Sequence, residues 1–275
     1  MNNNGEGISI VTIVKNGVEF IEETILSVVN QKNIVIEYII IDGGSTDGTL
    51  EIIQLYKDQI THFVSGSDGG IYQAINKGIS LSSYPLVGLI HCGDCYAPNV
   101  LAQVFDTFKS TGASVLYGDV IIKEAEGANV YLKNYIADHQ YLGKKMSIFH
   151  PSTFINRKSY LELGVYDVSF RSAADYDLLL RWFIKGVVFF HIPLVLAVFR
   201  SGGVSSTNFK LIVGENFRIR RKQLGLKSAI SYFVKTVLFH YYFSFRKALF
   251  IFIFGQDKFD HLKENKYKKI KVHSV

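Results

Sequence analysis

The sequence predicts an α/β protein: a doubly wound, mostly parallel sheet, extended at its C-terminal end by a helical segment rich in basic and aromatic residues. Three observations predict it. Apolar, largely β-branched runs alternate with helically spaced stretches over roughly the first 120 residues, as a parallel sheet with crossover helices demands. A polar cluster follows each of four such runs, at the edge where these sheets bind ligands. The positive charge of the chain gathers in residues 227–275.

The first run, ISIVTIV (8–14), is continuous rather than alternating, which marks a strand buried on both faces. EFIEETILSVVNQ (19–31) sets Phe20, Ile21, Ile25, Val28 and Val29 at helical spacing. Glu19, Glu22 and Glu23 lie in its first turn, where the helix dipole favours negative charge. EYIIID (37–42) is a second buried strand. The turn GGSTDGT follows, and TLEIIQLYKDQ forms a second helix with Asp47 as its expected cap. HFVS (62–65), IYQAINKGISLS and LVGLIH (86–91) supply a third strand, a third helix and a fourth strand. Beyond VLYGDV (115–120) the alternation fades. A helix is expected around 173–185 and a further strand-rich segment at VVFFHIPLVLAVFR (187–200). The residues at the four strand ends are 12–16, 42–47, 65–70 and 91–95, with an Asp in three of the four.

Composition bounds the class. A chain of 275 residues holds one large domain, or a domain with an extension. With 48 % aliphatic and aromatic residues, it is not disordered. MNNNGEGISI has no basic segment leading into an apolar one, so no signal peptide and a reducing cytoplasm are expected. Of the net +6, residues 227–275 carry ten Lys/Arg against three Asp/Glu, or +7. The first 226 residues carry twenty against twenty-one, or −1. A basic tail suits an anionic surface. A merely solvated tail is the alternative, which its Phe and Tyr content weakens. No nucleic-acid partner is expected.

Several chemistries are excluded. A dinucleotide site wants Gly-x-Gly-x-x-Gly directly after the first strand, and KNGVEF stands there. Neither a Gly-x-x-x-x-Gly-Lys-Ser/Thr loop nor a Ser nucleophile elbow is present. Cys92 and Cys95 form a Cys-x-x-Cys, and they are the only cysteines. A thioredoxin-like pair follows an early strand and opens a helix; this one follows a fourth strand, with Pro98 close behind. Zinc wants a second ligand pair, and nearby His91 offers one further candidate. Two small residues flanking a loop aspartate remain as the plainer account. That aspartate, Asp94, suits a hard cation such as Mg²⁺ or Mn²⁺ beside a diphosphate. From spacing alone it suits equally well a cap for the helix expected to begin near Pro98.

Five segments in order resemble the inverting glycosyltransferases of family 2, which have the GT-A fold, over roughly residues 8–205. They are the opening strand with IDGGSTDGT, then SGSDGGIYQAINKGI, HCGD, FHPSTFINRKSYLELGVYDVSFRSAADYDLLLRW and FRSGGVSS. The second resembles a subgroup from bacterial surface-polysaccharide synthesis. The resemblance implies nucleotide-sugar binding by Thr12, Asn16, Asp42, Gly44, Ser45, Asp68 and Arg200, with Asp42 on uridine. It implies Asp94 as metal ligand for Mg²⁺ or Mn²⁺, Asp175 as catalytic base, and Asp177 and His150 on the acceptor side. Asp177 would alternatively hold its helix in place, with Arg181 structural, and Arg200 would alternatively form a surface salt bridge. Two departures stand out: Asp-Gly-Gly where Asp-Asp-Gly is commoner, and a metal motif that keeps only its last carboxylate.

The resemblance further implies a domain at 1–225, with a nucleotide half at about 8–120 and an acceptor half at about 121–225, and a tail at 226–275. The donor would be a UDP-sugar and the acceptor a lipid-linked glycan at the inner face of the cell membrane. YFVKTVLFHYYFSFRKALFIFIF (232–254) has uncharged runs of only ten and nine residues, against about 20 for a spanning helix. One or two helices lying in the membrane interface are therefore expected, with Lys and Arg snorkelling to anionic head groups. A helical hairpin packed on the catalytic domain is the alternative. A thiol–disulfide oxidoreductase and a catalytically silent nucleotide-sugar-binding protein are the readings from other classes.

Overall fold

The computed structural model describes residues 6–262 except 68, 127–128, 203–207, 257 and 260. Four strands build the parallel part of the sheet: β1 (Ile8–Val14), β2 (Ile36–Asp42), β3 (His62–Ser65) and β4 (Leu86–Leu89). Helices α1 (Ile21–Val29), α2 (Thr49–Leu55) and α3 (Ile71–Leu81) make the crossovers. After β4 come β5 (Cys95–Tyr96), α4 (Leu101–Thr111), β6 (Val115–Glu126), β7 (Asn129–Tyr135), β8 (Thr153–Asn156), α5 (Arg157–Leu163), α6 (Ala174–Ile184) and β9 (Phe189–Arg200). The sheet order is β3-β2-β1-β4-β8-β6-β9-β5, with β7 on β6.

The parallel α/β half is therefore as predicted. Beyond β4 the pairings β4–β8, β6–β8 and β5–β9 are antiparallel. Antiparallel strands need no intervening helix, which is why the sequence alternation fades there.

This topology creates the crevice. The chain runs outward from β1 to β3, then returns to place β4 on the other side of β1. The sheet reverses direction of growth between β1 and β4, the switch point at which open α/β sheets bind ligands. Register aligns the edge: Val14 pairs with Asp42, and Asp42 with Ser65. The strands beneath are apolar and closed, with Ile8, Ile10, Val11, Ile39, Ile40 and Leu86 fully buried.

Two compact units emerge. One comprises the chain up to Ile121 together with Asn134–Arg200. The other comprises Ile122–Lys133 and the chain from Ser201 onward, including α7 (Phe209–Leu224) and α8 (Leu226–Phe254). The expected boundary at 225–226 is the Gly225 turn between α7 and α8, inside the second unit. α8 is one helix of 29 residues, long and apolar enough by length and composition to cross a membrane. Arg246 and Lys247 interrupt its apolar C-terminal half.

Close packing of α3 on β1 leaves no room at Gly78, where a Cβ would sit 2.2 Å from Cγ1 of Val11. Gly78→Ala would gain about 1 kcal/mol of helix propensity. Overpacking a closed core costs about 1–3 kcal/mol, and Val11 is fully buried in the central strand. A net loss of about 0–2 kcal/mol is expected in urea unfolding; a gain in stability would refute the contact.

Candidate active site

The first corner follows β1. Asn16 takes a left-handed φ of +51°, tolerated by asparagine. Its N–H donates to Ser45 Oγ at 2.7 Å, and its Oδ1 accepts the N–H of Thr46 at 2.9 Å. Asn16 thus ties the β1 loop to the β2 loop. Thr12 does not reach the crevice: it is fully buried within β1, its hydroxyl 3.1 Å from the Tyr38 hydroxyl. The expectation that it contacts donor is corrected by this placement, because it presents no surface to a ligand.

At the second corner Asp42 is nearly closed from solvent. Its carboxylate accepts the N–H groups of Gly44 and Ser45 at 3.0 Å, the Ser65 hydroxyl at 2.7 Å, and the Ser45 hydroxyl. Burial alone would raise its pKa, but the bonds from Ser45, Ser65 and Gly44 lower it below the usual carboxylate range. Asp42 therefore stays charged and organises the turn, a role that sequence reasoning missed along with Ser65. Gly44 holds a φ of +80° within this turn, a left-handed conformation that glycine adopts without strain. Asp47 accepts the N–H of Thr49 at 3.1 Å, next to the Gly48 that occupies the cap position of α2. Asp68 lies outside the described residues.

The fourth corner carries Asp94, 4 % exposed. Its Oδ1 accepts the backbone N–H of Arg200 at 2.8 Å, and its Oδ2 lies 3.0 Å from Nε2 of His150. Three segments far apart in sequence meet on this carboxylate. It does not cap α4, whose cap residue is Val100. Thr24 Oγ1 fixes the loop from α1, accepting the N–H of Gly93 at 3.0 Å and donating to the Asp94 carbonyl at 2.9 Å. A helical threonine gives no such signal in sequence. The His150 ring stacks on His91, centroids 4.3 Å apart, and burial holds the His91 imidazole well below its usual pKa.

Arg200 is held along its length. Nε donates to the Gly93 carbonyl at 3.3 Å, Nη2 reaches Glu23 at 3.4 Å, and the guanidinium lies 4.1 Å from the Phe20 ring centroid. The surface ion pair weighed as its alternative is present, and the backbone of Arg200, rather than its charge, touches Asp94.

On the acceptor side Asp175 is half-buried in the first turn of α6, with Oδ1 accepting the Tyr176 N–H at 2.8 Å. Asp175 and His150 line one cleft with Met146, Thr153, Tyr160 and Tyr166. The structure does not bring Asp177 to this cleft. It is 1 % exposed and 3.5 Å from Nε of Arg181, whose Nη atoms donate to the carbonyls of Leu163 and Val165 at 2.8 and 2.9 Å. Asp177 therefore anchors α6 to the 163–165 segment, the second of the two roles weighed for it.

Among the described residues no three His, Cys, Asp or Glu side chains converge to form a metal cluster. One carboxylate, held in place by the imidazole hydrogen-bonded to it, fits a divalent cation that takes its other ligands from diphosphate and water.

The fold and these corners define a class. The sheet resembles solved structures that hold nucleotide sugars: S. aureus TarS 1–349 in complex with UDP-GlcNAc matches with a TM-score of 0.63 at 13 % identity, over 78 % of this chain and 64 % of that one. A mannosyltransferase from Pyrobaculum calidifontis, in complex with GDP-Man and Mn²⁺, matches with a TM-score of 0.56 at 14 % identity, over 81 % and 63 %. These likenesses establish a GT-A-like fold. The chain belongs to Glycosyl transferase family 2, whose family model matches residues 9–164, and it is a glycosyltransferase. An uncharacterized glycosyltransferase of Mycobacterium tuberculosis is 29 % identical over 177 residues, covering 63 % of this chain and 68 % of that protein. A PGL/p-HBAD biosynthesis glycosyltransferase of Mycobacterium bovis is 28 % identical over 204 residues, covering 70 % and 77 %.

The redox reading is left without a thiolate. Burial, then Asp94 and Asp47, push the Cys92 thiol up to about 12, and its Sγ contacts the Gly17 carbonyl at 3.5 Å. Neither cysteine is in a disulfide. Cys92→Ser with Cys95→Ser is expected to keep transfer activity within about tenfold of wild type, since hydroxyl for thiol is nearly isosteric and no step of general acid–base catalysis falls to either thiol. A folded double variant without activity would restore a chemical role to the pair.

Proposed function

We propose that the protein is an inverting glycosyltransferase that moves a hexose or N-acetylhexosamine from a UDP-sugar to a lipid-linked glycan in bacterial surface-polysaccharide synthesis. It would work on the inner face of the cell membrane, against which its basic, aromatic tail rests. The observation that carries the proposal is the continuity of the site: Asp175 and His150 line one cleft, and His150 is hydrogen-bonded to Asp94 at the donor corner. A UDP-GlcNAc complex of a protein with this fold supports the donor class, and relatives named for PGL/p-HBAD biosynthesis support a biosynthetic glycosyltransferase.

In this mechanism the loops of β1 and β2, locked by Asn16, Ser45 and Asp42, hold the nucleotide. Asp94, oriented by His150, would hold Mg²⁺ or Mn²⁺, which supplies a Lewis acid for charge growing on the departing diphosphate. Asp175 takes the proton of the acceptor hydroxyl as that oxygen attacks in line with the leaving group. The anomeric centre inverts, and no covalent sugar–protein intermediate forms.

The two α6 aspartates separate chemistry from stability. Asp175→Asn is expected to keep its melting point and UDP affinity while turnover falls 10²–10⁴-fold, about the contribution of a general base. Asp177→Asn leaves Arg181 without its charged partner and is expected to cost about 1–3 kcal/mol of stability with far less loss of turnover. Near wild-type transfer by Asp175→Asn at saturating donor and acceptor would overturn the assignment.

Asp94→Asn tests the cation. Wild-type UDP affinity is expected to rise in Mg²⁺ or Mn²⁺ relative to chelator, and the variant to lose that rise. Calorimetry showing equal cation dependence in both proteins would remove Asp94 from the metal site.

A further inference from the structure

The second unit, taken by itself, carries a feature that sugar transfer does not use. α7 and α8 are antiparallel neighbours joined at Gly225. α7 covers the first half of α8. Asn216 Nδ2 donates to the Tyr232 hydroxyl at 3.0 Å, and Arg220 Nη2 to Ser228 Oγ at 3.0 Å. His240 stacks on Phe209, the first residue of α7, with centroids 3.9 Å apart. Beyond His240, α8 therefore has no α7 opposite it. Beside Ser244, Arg246 and Lys247, its exposed side chains there are aromatic or aliphatic, Phe252 being 89 % exposed.

The chain then turns back. Gly255 takes a φ of +81°, and the Phe259 ring lies 6.0 Å from that of Phe250. In one continuous helix, residues nine apart would be separated by about 13 Å along the axis. Lys258 Nζ sits 5.3 Å from the Phe254 ring centroid, and Lys247 Nζ 5.2 Å from that of Phe259. Residues 248–256, ALFIFIFGQ, form an uncharged stretch around this turn, with Arg246 and Lys247 before it and Asp257 and Lys258 after it in the sequence.

We propose that this tip inserts into one leaflet of an anionic bilayer, with Arg246, Lys247 and Lys258 at the head groups. The proposal rests on the membrane reading of the tail given above and deepens it from a helix lying on the surface to a hairpin entering it. Length selects one leaflet. The seven helical residues before the turn, 248–254, reach about 10 Å, within one half of a hydrocarbon core of about 30 Å. A spanning α8 would instead carry Arg246 and Lys247 inside the core, where charge is expensive. Charge selects lipid over a second copy of the chain. Two tips packed together would bring their cations face to face, whereas anionic head groups neutralise them. The sequence adds five Lys against one Glu in residues 263–275, directly after the turn.

The full chain is tested on phosphatidylcholine vesicles with and without phosphatidylglycerol, at low salt. Trp182, the only tryptophan, is fully buried and gives a constant background. Phe252→Trp reports on the tip, and Leu238→Trp, at a 65 % exposed position on the covered half, reports on the remainder of α8. Insertion predicts that lipids brominated on the acyl chain quench Trp at 252 and not at 238. Arg246→Gln with Lys247→Gln should weaken binding to the anionic vesicles roughly 30-fold, from about tenfold per 1.4 kcal/mol and about 1 kcal/mol per charge. Binding without quenching at 252 overturns insertion and leaves the surface reading standing. Quenching at both positions overturns it in favour of a span, and failure to bind either vesicle removes the membrane reading as well. A dimer in buffer that Phe252→Ser dissolves overturns it in favour of a second copy.

Discussion

The site depends on the two oxygens of one buried carboxylate. Asp94 receives the backbone N–H of Arg200 on Oδ1 and the imidazole of His150 on Oδ2. The first bond closes the end of β9 onto the β4–β5 loop, and the second draws in the segment that leads to β8. Burying a carboxylate is costly unless it is hydrogen-bonded, so these partners are conditions of the fold as well as parts of the site. They also link the donor corner to the cleft of Asp175, through a bond between Asp94 and His150 that joins residues 56 apart in the chain.

The donor side follows the same rule with different partners. Parallel register sets Asp42 beside Ser65 on the neighbouring strand, and the tight turn after β2 returns Ser45 and Gly44 onto the same carboxylate. Ser45 then passes the constraint on, because its oxygen accepts the N–H of Asn16 across the crevice. A fixed, charged, water-poor corner of this kind needs little rearrangement when a polar ligand arrives, which is where preorganised sites gain their advantage.

The parallel half was legible in the sequence because its strands are buried on both faces and its helices are amphipathic; ISIVTIV and IYQAINKGISLS carry those periods openly. The antiparallel half was not, since β8 is four residues long and β7 lies beyond the fading alternation. Corner positions such as Asp94 and Asp175 could be found from strand ends and family likeness. Orientation could not. Strand pleat turned Thr12 inward against Tyr38, and helical rotation turned Asp177 toward Arg181. The partners that fix the corners, Ser65, Thr24 and the backbone of Arg200, are of residue types too common to announce themselves.

The departure at the metal motif has a physical reading. Cys92 occupies the place of the family's first carboxylate, and its thiol packs against the Gly17 backbone, where a Cβ on Gly17 would come within 2.4 Å of Sγ. The nearest acceptor to that sulfur is the Gly17 carbonyl. A carboxylate at this position would face a carbonyl oxygen instead of a donor, in a spot where burial first, and then Asp94 and Asp47, raise the thiol pKa. The neutral thiol is the side chain this geometry accepts.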